Sequence, residues 1–193
     1  MKRLAMISGI LALAAPLAMA QTSTWVSDQN HSEVDFSITH LAISNVHGRF
    51  GKVAATLVLD QADMSKSTVT ATIDVSTVDT GVDARNNHLK SADFFEVAKY
   101  PTATFASTSV AKNGSTLTVA GNLTLHGVTK PVVLTVEGPS GPVQGMDNKQ
   151  HAGYSATATI SRTAFGIGIG TKFPAAVLGD DVKLSMDLDV ARQ

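Results

Sequence analysis

The chain of 193 residues contains no cysteine. Disulfide bonds, thiol nucleophiles and a lipid attached to an N-terminal cysteine are therefore excluded, and stability must come from a packed core. Charged residues are scarce too, at 16% of the sequence against about 25% in a typical globular chain. Basic runs are lacking, so the sequence offers none of the phosphate-neutralising patches of nucleic-acid-binding proteins. We expect no nucleic-acid partner.

Long apolar runs are absent except at the N-terminus. Lys2 and Arg3 precede an apolar run from Leu4 to Leu17, and Ala18-Met19-Ala20 has the small-x-small pattern of a cleavage site. These features are typical of a secretory signal peptide, and the run is too short to span a membrane. We expect residues 1–20 to be removed after Ala20. We expect residues 21–193 to form one exported domain of formal charge −3 without a transmembrane anchor. A bacterial periplasm is the expected compartment.

Most of the remaining chain alternates between apolar and polar residues. Val34, Phe36 and Ile38 form one such series, and others run over residues 53–59, 69–75, 117–125 and 182–190. A period of two is typical of strands that bury one face. Asn113-Gly114 predicts a tight hairpin, whereas the glycines and prolines of residues 138–150 predict the longest loop. The sequence predicts an all-β fold, a single antiparallel barrel of about eight strands, with a two-sheet sandwich as the alternative.

One stretch interrupts the alternation, at residues 80–101. Around residues 82–97 the apolar residues recur every three to four positions, which predicts a short helical insert. Such an insert either plugs the core or covers a cavity. Arg85 and His88 share one face of a helical turn and, with Lys90, are suited to an anionic head group. In the alternative interpretation, Arg85 pairs with Asp83 or Asp93 and only fixes the insert.

The patterns of common catalytic and cofactor sites are missing. The glycines of residues 166–170 have neither the lysine nor the βαβ context of a phosphate-binding loop, and no Gly-x-Ser-x-Gly elbow occurs. We therefore expect no catalytic residues, no cofactor and no metal. The six histidines show no ligand spacing on a helix; they are His31, His40, His47, His88, His126 and His151.

Several short motifs together resemble the YceI-like family of secreted lipid-binding proteins. They are Asp28-Gln29-Asn30-His31-Ser32, Thr39-His40-Leu41, Arg85-x-x-His88-Leu89, Asp93-Phe94-Phe95, Gly121–Thr129, Arg162-x-x-Phe165-Gly166 and Gly179-Asp180. The resemblance covers essentially all of the chain after the signal peptide. It implies a lipocalin-like barrel that binds a polyisoprenoid or similar long-chain amphiphile without catalysis. We expect the protein to be a monomer or a homodimer.

Together, the pattern and the resemblance indicate a periplasmic lipid carrier, with the insert and residues 165–173 at the barrel mouth. The alternative is a stress-related periplasmic protein with a filled barrel that acts through protein partners. In the favoured interpretation, Phe94 and Phe95 face the lipid tail, and Arg85 and His88 lie nearer the head group. The residues expected to contact the lipid are Phe36, Ile38, His40, Phe50, Leu57, Arg85, His88, Leu89, Phe94, Phe95, Phe105, Phe165 and Phe173.

Overall fold

The structure is a computed structural model that describes residues 22–170, 174 and 176–193. Within them lie ten strands and one α-helix, α1 (Asp83–Lys90). The strands are β1 (Thr22–Ser27), β2 (Glu33–His40), β3 (Ser44–Phe50), β4 (Val53–Asp60), β5 (Thr68–Asp74), β6 (Thr102–Asn113), β7 (Thr116–Leu125), β8 (Val128–Gln144), β9 (Gln150–Ser161) and β10 (Leu178–Arg192). Short 3-10 turns lie at Met64–Lys66, Val75–Thr77 and Thr163–Phe165. The predicted signal peptide lies outside the described residues.

The sheet closes on itself through β1. This strand pairs antiparallel with β4 along one edge and with the end of β10 along the other, while β4 to β10 follow one another around the sheet. Strand β2 continues β1 along β10, and β3 runs into β4 after a break at Gly51 and Lys52. The ten segments therefore make eight barrel strands. The predicted closed antiparallel barrel is confirmed, and the sandwich alternative is excluded.

The helical insert lies where the sequence predicts it. Strand β5 ends at Asp74 and β6 begins at Thr102, and α1 and the turns after it occupy the connection. Both flanking strands end at the same rim of the barrel because they pair antiparallel. The insert is thereby placed over one end of the lumen.

Inward-facing side chains fill the lumen unevenly. Large buried residues pack together towards the end of the barrel where the β6–β7 hairpin lies, and they include Trp25, Leu57, Phe105, Val119, Tyr154 and Val190. A smaller cluster beneath the insert contains Phe36, Phe50, Val75 and Val78. Because disulfides are absent, this packing must supply most of the stability.

The prediction of a long loop over residues 138–150 is wrong. Strand β8 continues to Gln144, so only residues 145–149 leave the sheet. The β8–β9 register shifts on both sides of Ser140, where Gly138-Pro139 and Gly141-Pro142 lie. Proline has no N–H to donate to a ladder, and a bulge tolerates that loss. The Gly-Pro pairs therefore mark a bulged strand rather than a loop.

Close packing at Gly121 gives a test of this core. A Cβ atom added at Gly121 would collide with the ring of Phe105 and would lie 2.6 Å from the carbonyl oxygen of Ala106. We expect Gly121→Ala to lower the free energy of unfolding by about 1–3 kcal/mol through overpacking, as measured by urea denaturation. The matched control is Gly51→Ala, where no atom lies within 4 Å of the added Cβ. Equal losses in the two variants would contradict the packing described.

Candidate functional site

The uneven filling leaves a cavity of about 320 Å³ at one end of the barrel. We call this end the mouth. It comprises the β2–β3 turn (Leu41–Ile43), the insert (residues 82–97), the β7–β8 turn (His126–Gly127) and the β9–β10 loop, as far as that loop is described. The cavity volume lies near the lower limit of small-molecule pockets, about 300–1,000 Å³. Aliphatic and aromatic side chains from seven strands form most of its wall.

Polar contacts fix α1 to the neighbouring chain. The Oδ1 atom of Asn86 accepts hydrogen bonds from the N–H and hydroxyl of Thr80, at 2.8 and 2.7 Å, and its Nδ2 donates to Asp79 at 3.1 Å. The backbone of Asp79 exchanges two hydrogen bonds with Arg49 of β3, at 2.8 and 3.0 Å. The N–H of Gly81 and the amide of Asn86 hold the pKa of Asp79 below its usual value. A helix of eight residues is marginal alone, so these contacts keep it over the mouth.

Arg85 lies at the cavity without an ionic partner among the described residues. Its Nε donates to the hydroxyl of Thr80 and its Nη2 to the carbonyl oxygen of Thr80, both at 2.8 Å. The pairing of Arg85 with Asp83 or Asp93, which belonged to the alternative interpretation, is therefore wrong, and Thr80 is the partner instead. The carboxylate of Asp93 instead lies 2.9 Å from Nε2 of His88. Thr80 lies before α1 and outside it. The spacing of residues within the helix therefore did not reveal this partner.

Aromatic rings make up one wall of the cavity. Phe36 and Phe50 lie 5.5 Å apart, and the ring of Phe95 meets Phe50 edge-on at 5.7 Å. Phe94 is buried and contacts the ring of His88 edge-on at 5.0 Å. The insert therefore contributes two aromatic side chains to the wall while leaving the cavity beneath it open.

The β9–β10 loop is organised by Arg162, which is only 5% exposed and also lines the cavity. Its Nη1 donates to the carbonyl oxygens of Ile167 and Gly168 at 3.0 and 3.2 Å. Its Nε and Nη2 donate to Gly179 and Leu178 at 2.8 and 3.1 Å. One guanidinium thus joins the beginning of the loop to the start of β10.

A histidine joins the insert to the same loop. Nδ1 of His126 donates to the carbonyl oxygen of Phe165 at 3.1 Å, and the ring lies edge-on against Tyr100 at 4.7 Å. Nε2 of His126 is buried 3.7 Å from a carboxylate oxygen of Glu96, and it has no hydrogen-bond partner in the described part of the chain. The β7–β8 turn therefore bridges the insert and the loop.

The chain is similar to known proteins over most of its length. The family model described as the YceI-like domain matches residues 25–190. The chain belongs to the YceI-like family. A UPF0312 protein of Vibrio cholerae is 36% identical over 172 residues, which cover 88% of this chain and 90% of that protein.

Solved structures agree with this assignment. BcnA of Burkholderia cenocepacia is 26% identical, with a TM-score of 0.76 over 84% of this chain and 98% of that one. A polyisoprenoid binding domain from Saccharophagus degradans, at 21% identity, shares the fold with a TM-score of 0.65 over 88% and 98% of the two chains. The family resemblance stated from the motifs is confirmed.

Most of the residues expected to contact a ligand surround the cavity of this YceI-like barrel. They are Phe36, Ile38, His40, Phe50, Arg85, His88, Leu89, Phe94 and Phe95. Three others, Leu57, Phe105 and Phe165, belong to the packed core and do not line the cavity. Phe173 lies outside the described residues. Ligand contact by each of these residues stays a prediction.

Sequence reasoning missed part of the cavity wall. The missed residues include Val34, Val46, Ile73, Leu125, Ile160, Arg162, Val182 and Leu184. The aliphatic ones alternate along strands in the same way as core residues, so no sequence signal separates them. Arg162 did carry a signal, because it opens the Arg162-x-x-Phe165-Gly166 motif.

The two arginines of the cavity carry positive charge, and its two histidines add hydrogen-bonding groups. Arg85, Arg162, His40 and His88 line it, whereas no Asp or Glu does so among the residues that the structure describes. In an apolar surrounding, guanidinium groups favour a ligand group that is anionic or rich in acceptor oxygens. The YceI-like cavity therefore suits an amphiphile with an apolar body and such a head.

Metal-binding clusters and membrane-spanning helices are both missing from the described residues. No group of three or more histidine and acidic side chains is arranged to hold a metal ion in this part of the chain. Its helices are also too short or too polar to cross a membrane.

Asp180 gives a pH-dependent test of the loop anchor. Its carboxylate accepts hydrogen bonds from the hydroxyl of Ser161 at 2.6 Å and from the hydroxyl and N–H of Thr163 at 2.7 and 3.0 Å. The Ser161 hydroxyl is the main cause that lowers the pKa of Asp180, followed by Thr163 and the charge of Arg162. Stability from this group is therefore present above its unfolded pKa, 3.8, and is lost as the pH falls through the lower folded value.

We expect Asp180→Asn to lower the free energy of unfolding near neutral pH by about 1–2 kcal/mol. This difference from the wild type should shrink as the pH falls below 3.8, in denaturation curves recorded over a pH series. Asp181→Asn, at an exposed neighbouring position, is the control. A difference that stays constant or grows on acidification would refute the assignment.

Proposed function

We propose that the chain is a non-catalytic periplasmic binding or carrier protein for a polyisoprenoid or similar long-chain amphiphile. The observation that carries the proposal is the apolar cavity whose described charged side chains are all basic. A filled barrel would leave no such space, so the cavity favours lipid binding over the alternative of a protein that acts only through protein partners. The polyisoprenoid binding domain from Saccharophagus degradans has the same fold.

The hydrophobic effect supplies enough free energy for this role. Burial of one methylene contributes about 0.8 kcal/mol, so about 15 tail carbons give roughly 12 kcal/mol before the cost of immobilising the ligand. Phe36, Phe50 and Phe95 form the aromatic side of the wall that receives the tail. No polar contact along the tail is required.

The head group is assigned to the rim beside α1. Arg85 is held in place by Thr80, and it has no carboxylate partner among the residues that the structure describes. His88 and His40 line the same cavity. These side chains form a cationic and hydrogen-bonding rim next to an apolar interior, which is the polarity of an amphiphile.

A non-catalytic role fits the composition of the wall. Among the described lining residues there is no serine, threonine, lysine or tyrosine that would act as a nucleophile. Residues 1–20 have the pattern of a signal peptide, which supports export and cleavage after Ala20. We assign the mature protein, residues 21–193, to the periplasm on that basis.

Occupancy of the cavity is tested by blocking it. Val46 is half-buried on β3 and lines the cavity, so Val46→Trp should fill part of the space and abolish binding of a polyprenyl phosphate in native mass spectrometry. Val133→Trp, at an exposed position on β8, is the matched control and should bind as the wild type does. Wild-type protein that is isolated from its own host without lipid, and that also rejects polyprenyl lipids, would refute the proposal.

Replacement of the rim arginine tests the head-group assignment. We expect Arg85→Met to raise the Kd for a polyprenyl phosphate by about tenfold or more, because a charge-assisted hydrogen bond is lost. The Kd for the matching uncharged hydrocarbon should not change. Lys130→Met, at an exposed position, is the control for the loss of one positive charge. Equal weakening of both ligands would place the head group elsewhere.

A further inference from the structure

Exposed apolar side chains gather at the mouth. Among the described residues, Ile43 is 84% exposed, Ile169 62% and Leu41 48%. Leu41 and Ile43 belong to the β2–β3 turn, and Ile169 belongs to the β9–β10 loop. We refer to these three residues as the rim patch. Burial of side chains of this size from water is strongly favourable, so three of them left in water around one opening call for an explanation.

The two elements that carry the rim patch are joined. The N–H of Leu41 donates to the carbonyl oxygen of Val177 at 2.8 Å. The buried arginine of the loop bonds to the carbonyl oxygens of both Leu178 and Gly168, and Gly168 precedes Ile169. The turn and the loop that carry the three side chains are therefore held together at the mouth.

The backbone conformation of the β2–β3 turn does not favour the residue types that occupy it. Leu41 and Ala42 have φ angles of 53° and 58°, and the N–H of Ile43 donates to the carbonyl oxygen of His40 at 3.2 Å. This is a turn with two left-handed residues, for which Asn-Gly is the favoured sequence. Leu-Ala is strained there and leaves apolar side chains in water. Folding alone would favour Asn-Gly at these two positions.

The rim patch adjoins the cavity directly. His40 and Ile167, which line the cavity, are one and two residues from Leu41 and Ile169, and Val177 lines it as well. We propose that the rim patch docks the mouth onto the surface of a phospholipid bilayer, so that a lipid passes directly between the bilayer and the cavity. This inference rests on the proposed lipid-binding function.

A bilayer fits the rim patch better than a protein partner does. A stable protein interface buries about 800 Å² on each side with close shape complementarity, which three side chains on a curved rim cannot provide. A bilayer accepts single side chains at its interface and requires no matching shape. Arg85, which lines the cavity behind the patch, adds attraction to anionic lipids. Docking of this size is weak and reversible, as a carrier requires.

Vesicle flotation tests the docking. The mature wild-type protein is mixed with vesicles of phosphatidylcholine that contain a minor fraction of phosphatidylglycerol. We expect it to float with the vesicles, and the triple variant Leu41→Ser, Ile43→Ser, Ile169→Ser to lose about tenfold or more in partitioning. The control is Val133→Ser with Val143→Ser, which removes two valines that are 56% and 63% exposed outside the mouth. Unfolding curves of all variants verify that they are folded.

Lipid uptake separates this inference from the proposed function. The triple variant should take up a polyprenyl phosphate dispersed from ethanol as the wild type does, but it should take up the same lipid from vesicles more slowly. Flotation of a wild type that takes up no dispersed lipid would support docking and refute the proposed function. A wild type that does not float, or a triple variant that floats equally, would overturn docking. A dimer that only the triple variant loses, without flotation of the wild type, would assign the patch to a second copy instead.

Discussion

The mouth of the barrel depends on one buried guanidinium. Burial of a charged group is unfavourable unless its hydrogen-bonding capacity is met, and four carbonyl oxygens of the β9–β10 loop and β10 accept from Arg162. Because these carbonyls come from both ends of the loop, Arg162 closes the loop in the way that a cross-link would. Asp180 lies nearby and carries the opposite charge. The carbonyl oxygen of Phe165 in this loop accepts a hydrogen bond from His126, and His126 also lies beside Glu96 of the insert. The insert is thereby joined to the loop that Arg162 holds.

A hollow barrel faces a conflict between ligand binding and stability. Side chains that line an empty space lose the dispersion contacts that core residues make, so the cavity contributes little to folding. This chain has no disulfide to compensate. The conflict is resolved by position: Trp25, Phe105 and Tyr154 pack one part of the lumen densely, and the open space is confined to the mouth. The insert then covers the open part without filling it.

Much of the architecture could be read from the sequence because it depends on local periodicity. The period of two predicts the strands, its interruption predicts the insert, and the hairpin predicted at Asn113-Gly114 forms with Gly114 and Ser115 in the turn. The division between wall and core could not be read, because Phe50 and Phe105 occupy equivalent inward positions and only the closed barrel separates them. The partner of Arg85 could not be read either, because Thr80 lies outside the helix and helical spacing does not apply to it. In β8, the Gly-Pro pairs have the composition of a loop, and only pairing with β9 identifies them as bulges.

Helix α1 uses different side chains for its two tasks. Asn86 and the preceding Asp79 attach it to the sheet, whereas His88 and Leu89 face the cavity. Attachment to the sheet and lining of the cavity therefore rely on different side chains of a single eight-residue helix. Substitutions at the cavity-facing positions would leave the attachment intact. The shape and charge of the cavity can thus change through a few substitutions in the insert, with the sheet unchanged.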